Sequence, residues 1–235
     1  MELFYRIADL TVKMETFGRT LTQAEPYRCQ PVEQPDLCVK GYWETLQKIA
    51  PHLDRDECEY INTGTSFYLQ LLKHQGLLLH ASAVVLDGKA YLFTAPSGTG
   101  KSTHTQLWLK KFGSRAKILN DDKPALRKVD GIWYAYGTPW SGKYDLNIPE
   151  QAPLAGICIL ERGEENRIAP AAGKTTVSFL MSQTVRPPQK ELAWNLLELM
   201  DDLMKQVPMW KLQCNTDIQA AQVSCDAMTG KDWKV

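Results

Sequence analysis

The run Ala95-Pro96-Ser97-Gly98-Thr99-Gly100-Lys101-Ser102 carries the clearest chemistry in the chain. It has the spacing of a phosphate-binding loop (P-loop), with alanine where the first glycine usually stands. An apolar stretch (Tyr91, Leu92, Phe93) enters it and an amphipathic pattern (Leu107, Trp108, Phe112) leaves it, so a strand and a helix are expected on its two sides. Gly98 and Gly100 have no Cβ, which lets the backbone fold tightly around phosphate oxygens. The amides of Thr99 to Ser102 would point inward at the positive end of the helix dipole. Lys101 is a mobile charge for β- and γ-phosphates, and the Ser102 hydroxyl suits a Mg²⁺ ion. Nucleotide contacts are thus expected from Ser97, Gly98, Thr99, Gly100, Lys101, Ser102 and Thr103.

Such a loop needs a carboxylate to hold the metal. Asn120-Asp121-Asp122 ends the short apolar run AKILN, and adjacent acids can divide two jobs. One ligates Mg²⁺ and the other accepts a proton from an attacking hydroxyl. Asn and Asp also favour strand ends for turn chemistry alone. His80 follows three leucines, a setting in which a lone histidine is more often a core residue than a functional one. The segment Gly137-Thr-Pro-Trp-Ser-Gly-Lys143 joins glycines, a hydroxyl, an aromatic ring and a cation. It could close over a substrate with Ser141 or Lys143 on a phosphate, or be a plain surface loop. Arg162, ending the run LAGICILER, could face the same site or solvent.

The elements that must position these groups read as follows. Alternation through Leu3, Tyr5 and Ile7, then Val12 and Met14, predicts half-buried antiparallel strands near the start. PYRCQPVEQPD reads as an irregular connection, and SFYLQLLKHQG as a helix stopped by Gly76. LLLHASAVVL (77–86) and KAYLFTA flank Asp87-Gly88, a two-residue hairpin signal, and a second hairpin is expected across Asp130-Gly131. AKILN is expected as a parallel neighbour of the strand that feeds the loop. Residues 137–153 look too polar for core. LAGICILERG is a buried strand, 174–184 and 191–206 are helices, Met209 to Cys214 a late strand, and DIQAAQVSCDAM a final helix. Leu192, Leu196, Leu199 and Leu203 give 191–206 a broad apolar face, accounted for by core packing, and Asp201-Asp202 reads as a solvated patch.

Composition excludes some classes. The 235 residues hold 27 Lys+Arg against 27 Asp+Glu, 44% hydrophobic and 23% charged. Neutrality argues against nucleic-acid binding, which normally shows a basic face. No run of about 18 apolar residues suggests a bilayer span. The start MELFYRIADL has charges inside its apolar run and no basic lead, so a secretory signal is not expected and a cytoplasmic location is. The six cysteines form no C-x-x-C pair and read as reduced, mostly buried thiols.

His80-Ala-Ser, APSGTGKST, the acid pair after AKILN and the late PMWKLQC-NTD together resemble the HPr kinase/phosphorylase family, within the phosphoenolpyruvate-carboxykinase-like P-loop kinases. The resemblance covers residues 77–225. It implies Asp121 as proton acceptor, Asp122 as Mg²⁺ ligand beside Ser102, and His80 near the pair, with catalytic roles for Asp121, His80 and Lys101. It also implies a homo-oligomer. Ala95, Thr103 and Asn120 depart from the family's usual Gly, Glu and Ala, its dephosphorylation signature is missing, and its N-terminal sensory domain is not recognisable in residues 1–76.

The expected fold is α/β: a mixed, twisted sheet with a P-loop and flanking helices, residues 77–235 forming the kinase core and 1–76 a small β-rich extension packed on it. The expected activity is ATP- and Mg²⁺-dependent transfer of the γ-phosphoryl group to a hydroxyl, of a protein or peptide serine or of a small molecule. The rivals are a plain NTPase, a carboxykinase-like enzyme acting on an acid, and a nucleotide sensor without turnover.

Overall fold

The computed structural model describes residues 2–230. The chain opens with β1 (Glu2–Ile7) and β2 (Leu10–Glu15), an antiparallel hairpin turned at Ala8 and Asp9. Both turn residues have positive φ, 52° and 59°, as a two-residue turn matched to the twist of the strands requires. Next come α1 (Gly18–Ala24), a 3-10 turn over Glu25–Tyr27, and β3 (Leu37–Lys40), which pairs parallel to β2. Then α2 (Glu44–Ile49) leads to α3 (Arg55–Leu71). Helix α3 starts at a capping box, in which Asp54 accepts from the Glu57 amide and Glu57 from the Asp54 amide.

Nine strands among the described residues form the main sheet. They are β4 (Gly76–Leu78), β5 (Ala81–Leu86), β6 (Lys89–Thr94), β7 (Ala116–Asn120), β8 (Ala125–Val129), β9 (Ile132–Tyr136), β10 (Gln151–Arg162), β11 (Arg167–Pro170) and β12 (Met209–Cys214). Helix α4 (Lys101–Phe112) joins β6 to β7, α5 (Lys174–Ser182) and α6 (Lys190–Gln206) lie between β11 and β12, and α7 (Gln219–Thr229) follows β12. The order is β4-β8-β9-β10-β6-β5-β7, with β12 also beside β10 and β11 beyond β12. Twelve-residue β10 pairs β9 through its first residues and β6 and β12 through the rest, so the sheet branches and curls there.

Period-two alternation covers both faces of β5 and β6. Ala83, Val85, Ala90 and Leu92 pack with Leu180 and the α6 residues Leu192, Leu196, Leu199, Met200 and Leu203. Val84, Leu86, Tyr91 and Phe93 pack with Trp108 of α4 and Ala221, Cys225 and Met228 of α7. A third cluster joins Tyr5, Ile7, Val12 and Val39 to Tyr60, Phe67 and Leu71 of α3, and to Leu78, Tyr136 and Trp140. It packs the N-terminal strands on the rest through α3.

Topology sets the site. Strands β10 and β12 run parallel to β6; β5 is antiparallel to β6, and β7 antiparallel to β5. The C-terminal ends of β6, β7, β10 and β12 therefore share one edge, where ligands bind in open α/β sheets.

Several expectations are corrected. The run 77–86 is two strands, because the chain leaves β8 after Leu78 and crosses at Leu79-His80 to pair with β6 and β7. Helix α3 begins eleven residues before Ser66, at Arg55. Gly76 is not its stop; Gln75 takes the left-handed turn (φ 58°) and Gly76 opens β4. Strand β7 is parallel to β6 but not its neighbour, since β5 lies between them. Residues 137–153 are not all surface: Thr138, Trp140 and Ser141 are fully buried, and Trp140 stacks on Phe67 at 4.9 Å. Asp202 is no free patch either, because it accepts from Lys128 (2.8 Å) and Trp133 (2.9 Å) and ties α6 to β8 and β9. The early region holds α1 and a parallel β3 that alternation did not signal.

Candidate active site

Residues Ala95–Gly100 form the turn between β6 and α4 that the motif demands. Gly98 and Gly100 have φ of 77° and 123°, and an added Cβ at Gly98 would meet nothing within 4 Å, so these glycines serve backbone conformation. Ser97 and Gly98 are exposed, Thr99, Gly100 and Ser102 half-buried, and Thr103 exposed on the first turn of α4. Lys101 is buried and donates from Nζ to the Ala95 carbonyl at 3.1 Å. Burial lowers its pKa from the usual lysine value, against the pull of Asp122 and Asp121. Arg162 reaches the loop from the end of β10, donating from Nε to Thr99 O (3.3 Å) and from Nη2 to Gly98 O.

The acid pair sits in a turn built by Asn120. Its Oδ1 accepts from the Asp122 and Lys123 amides (3.0 and 2.7 Å), and its Nδ2 donates to Thr138 O (3.0 Å). Thr138 Oγ1 in turn donates to Lys123 O (2.8 Å), which Tyr68 also meets. The Ala81 amide bonds Asp122 O at 3.2 Å, pinning the turn to the start of β5.

The two carboxyls have opposite surroundings. Asp121 is buried; desolvation raises its pKa, and hydrogen bonds from Ser82 and Ser102 oppose this only in part. Burial would also raise Asp122, but His80 and Lys123 bind its two oxygens and hold it down at about 2. Asp121 thus binds a proton more readily than an ordinary aspartate, and Asp122 less readily.

His80 touches Asp122, not Asp121: Nε2 lies 3.0 Å from Oδ1. Its Nδ1 meets Gln183 Oε1 at 3.2 Å, and its amide donates to Gln183 O at 2.7 Å. Ser82 alternates onto the α4 face of β5, where its hydroxyl meets Thr105 (3.0 Å) as well as Asp121. Ser82, Thr105, Gln183, Lys123 and Thr138 were not singled out as site residues from the sequence. A buried serine inside an apolar strand was the one available signal, and Gln183 gives none.

The segment 137–148 packs against the acid pair. Ser141 is spent within it, bonding Asp145 and Asn147 at 2.9 Å each, so it does not reach for a phosphate. Gly142 donates its amide to Tyr60 Oη (3.1 Å) and accepts from Arg19, and a Cβ there would lie 2.9 Å from Asp122 Cβ. Lys143 is exposed, with no hydrogen bond or ion pair among the described residues. The structure therefore brings Lys101, Ser102, Asp121, Asp122 and His80 together, sets Arg162 on the Gly98 and Thr99 carbonyls, and leaves Lys143 in solvent.

No group of three His, Cys, Asp or Glu that could hold a metal occurs among the described residues. A hard ion such as Mg²⁺ often takes only one or two carboxylates, with phosphates and waters completing its shell. Asp122 and the Ser102 hydroxyl offer that donor chemistry, but Ser102 bonds Asp121 and the Asp122 oxygens hold His80 and Lys123, so an ion would have to displace Lys123 from Asp122. Among the described residues no helix is long and apolar enough to cross a membrane.

Fold and site define a mixed α/β protein with a curled sheet, helices on both faces and a glycine-turned loop facing two acids. The sequence model for SynChlorMet cassette protein ScmC matches residues 54–219, more than half the chain, and the chain belongs to the ScmC family. A search of curated proteins gives no match. Among solved structures, 46 chains match. One is the Hpr(Ser) kinase/phosphatase from Coxiella burnetii, at 11% identity and a TM-score of 0.39, over 66% of this chain and 95% of that one.

Proposed function

We propose that this protein is an ATP-dependent kinase that transfers the γ-phosphoryl group to a hydroxyl, of a protein or peptide serine or of a small molecule. The observation that carries the reading is the divided acidity of Asp121 and Asp122 beside a lysine-bearing strand–loop–helix turn. A nucleotide-binding turn alone has no use for a buried carboxyl of raised pKa beside it.

Each residue then has a task. Amides of the 98–102 turn cradle the phosphates, and Lys101 leaves Ala95 O to meet the β- and γ-oxygens. Asp122 and Ser102 would hold Mg²⁺, which supplies charge neutralisation on the phosphates. His80 and Gln183 orient Asp122. Asp121 accepts the proton of the attacking hydroxyl, while Ser82 and Thr105 fix its carboxylate. Lys101 offsets charge at the moving phosphoryl group.

The test is transfer of label from γ-labelled ATP to serine peptides and small alcohols, for wild type and Asp121→Asn. The kinase reading predicts a labelled acceptor with wild type and a loss of about 10²–10⁴-fold in the variant. Release of phosphate with no labelled acceptor would favour an NTPase, and tight ATP binding with no turnover a sensor.

A further inference from the structure

We infer that Lys123 is a specificity-determining residue that bars the Asp122 site to a bare divalent cation and yields it to one carried by a triphosphate. This rests on the nucleotide part of the reading above and adds the form in which the metal is taken up.

The main chain of Lys123 is fixed. Its amide donates to Asn120 Oδ1 (2.7 Å), and its carbonyl accepts from Thr138 Oγ1 (2.8 Å) and from Tyr68. These bonds root a four-carbon stem whose ammonium rests on Asp122 Oδ2, while His80 Nε2 lies 3.0 Å from Oδ1. Both oxygens of the carboxylate are thus taken, and a metal ion needs at least one of them. His80 is tied elsewhere as well, by Nδ1 to Gln183 Oε1 (3.2 Å) and by its amide to Gln183 O (2.7 Å). The lysine side chain is the partner that can leave. A second seat stands beside it, since the Tyr60 ring centroid is 5.2 Å from Lys123 Nζ, within cation–π reach. Tyr60 Oη accepts from the Gly142 amide at 3.1 Å, which keeps that ring in place.

Charge decides which ion can make the exchange. Burial is the main influence on Lys101; beyond it, that group feels Asp122 and Asp121 as attracting charges and Lys123 as a repelling one. Two ammonium groups therefore already face the acid pair. A bare Mg²⁺ would bring further positive charge to them and would have to shed hydration water, which it does reluctantly. A triphosphate brings more negative charge than its metal cancels. With it present, both lysines meet phosphate oxygens, and the ammonium displaced from Asp122 is not left unpaired. The same lysine that opposes the free ion thus accepts the ion with its nucleotide.

The test measures Mn²⁺, a paramagnetic stand-in for Mg²⁺, bound by the whole protein with and without ATP. Wild type, Lys123→Met and Lys123→Arg are compared, with each variant's melting temperature recorded. Methionine keeps most of the stem and removes the charge, arginine keeps the charge, and Lys123→Gln repeats the neutral change should methionine unfold the turn. Without nucleotide, the neutral variant should bind Mn²⁺ about tenfold or more tighter than wild type, the scale of one charge repelling a divalent ion a few ångström away. Lys123→Arg should show no such gain, and adding Asp122→Asn to the neutral variant should abolish it. ATP should shrink the advantage. Equal Mn²⁺ affinity of wild type and the neutral variant without nucleotide would overturn the proposal. So would an equal gain in Lys123→Arg, a gain that survives Asp122→Asn, or an advantage that ATP leaves unchanged. A wild type that binds no Mn·ATP would defeat the nucleotide reading itself, which the nucleotide-free comparison does not need.

Discussion

In the turn Ala95–Gly100, conformation comes from the backbone. Positive φ at Gly98 and Gly100, a strand before and a helix after are enough to shape it, and among the described residues Arg162 is the one side chain from a distant strand that clasps it. Residues 120–123 are held in the opposite way. Thr138, Tyr68, Ser82, His80 and the segment at Gly142 come from across the chain to fix the turn that Asn120 builds and its two carboxyls. A glycine turn between a strand and a helix can be shaped locally. Two like acids with opposite shifts need different surroundings, and one short stretch of chain does not supply both.

The contrast can be broken by experiment, starting with the largest effect. If the pair is divided as described, Asp121→Asn removes transfer by about 10²–10⁴-fold but leaves Mg·ATP binding in place. Because Asp121 has a raised pKa and must be ionised to take a proton, the transfer rate should fall with acidification at a higher pH than an ordinary aspartate would give. A flat profile down to the normal carboxylate range would deny the division.

Acid unfolding separates the regions by pH window. Burial holds His104, on the first turns after the cradle, at about 4, below the ordinary 6.5. The unfolded chain then binds the proton first, so stability is lost as pH falls from 6.5 towards 4, by up to about 3 kcal/mol. Asp122, held at about 2 against an ordinary 3.8, adds stability that is lost only as pH falls from 3.8 towards 2. Urea melts across pH should show both windows, and His104→Phe should flatten the upper one alone.

Asn120→Ala should cost about 2–3 kcal/mol, since it leaves the Asp122 and Lys123 amides without their acceptor in a buried turn. Gly142→Ala should cost about 1–2 kcal/mol, because φ there is 77° and the new methyl meets Asp122. Arg162→Ala should change stability by no more than about 0.5 kcal/mol, since its side chain is exposed. Denaturant midpoints check all three. A larger loss at Arg162 would mean that the cradle too depends on distant support.

The same contrast explains what could be read in the sequence. Glycine spacing, the Asp87-Gly88 and Asp130-Gly131 turns, and the leucines of α6 are local patterns, and the elements they predict are present. The break at Leu79-His80 has no local mark, because it arises where one strand must serve two partners. Burial of 137–141 was missed because Thr138 and Ser141 are polar residues satisfied by partners far along the chain or within the loop. Asp121 and Asp122 were visible as a pair. That they divide two jobs was legible; their opposite shifts were not, because these come from the burial of Asp121 and from the His80 and Lys123 contacts on Asp122.

The central claim is that the turn around Gly98 and Gly100 takes up a nucleoside triphosphate with its metal. Titration calorimetry of Mg·ATP into folded protein tests it most directly, with Lys101→Ala as the comparison. Saturable binding at one site in the wild type, strongly weakened in the variant, is the predicted result. An absence of binding heat across temperatures in the wild type, or equal binding by the variant, would contradict it.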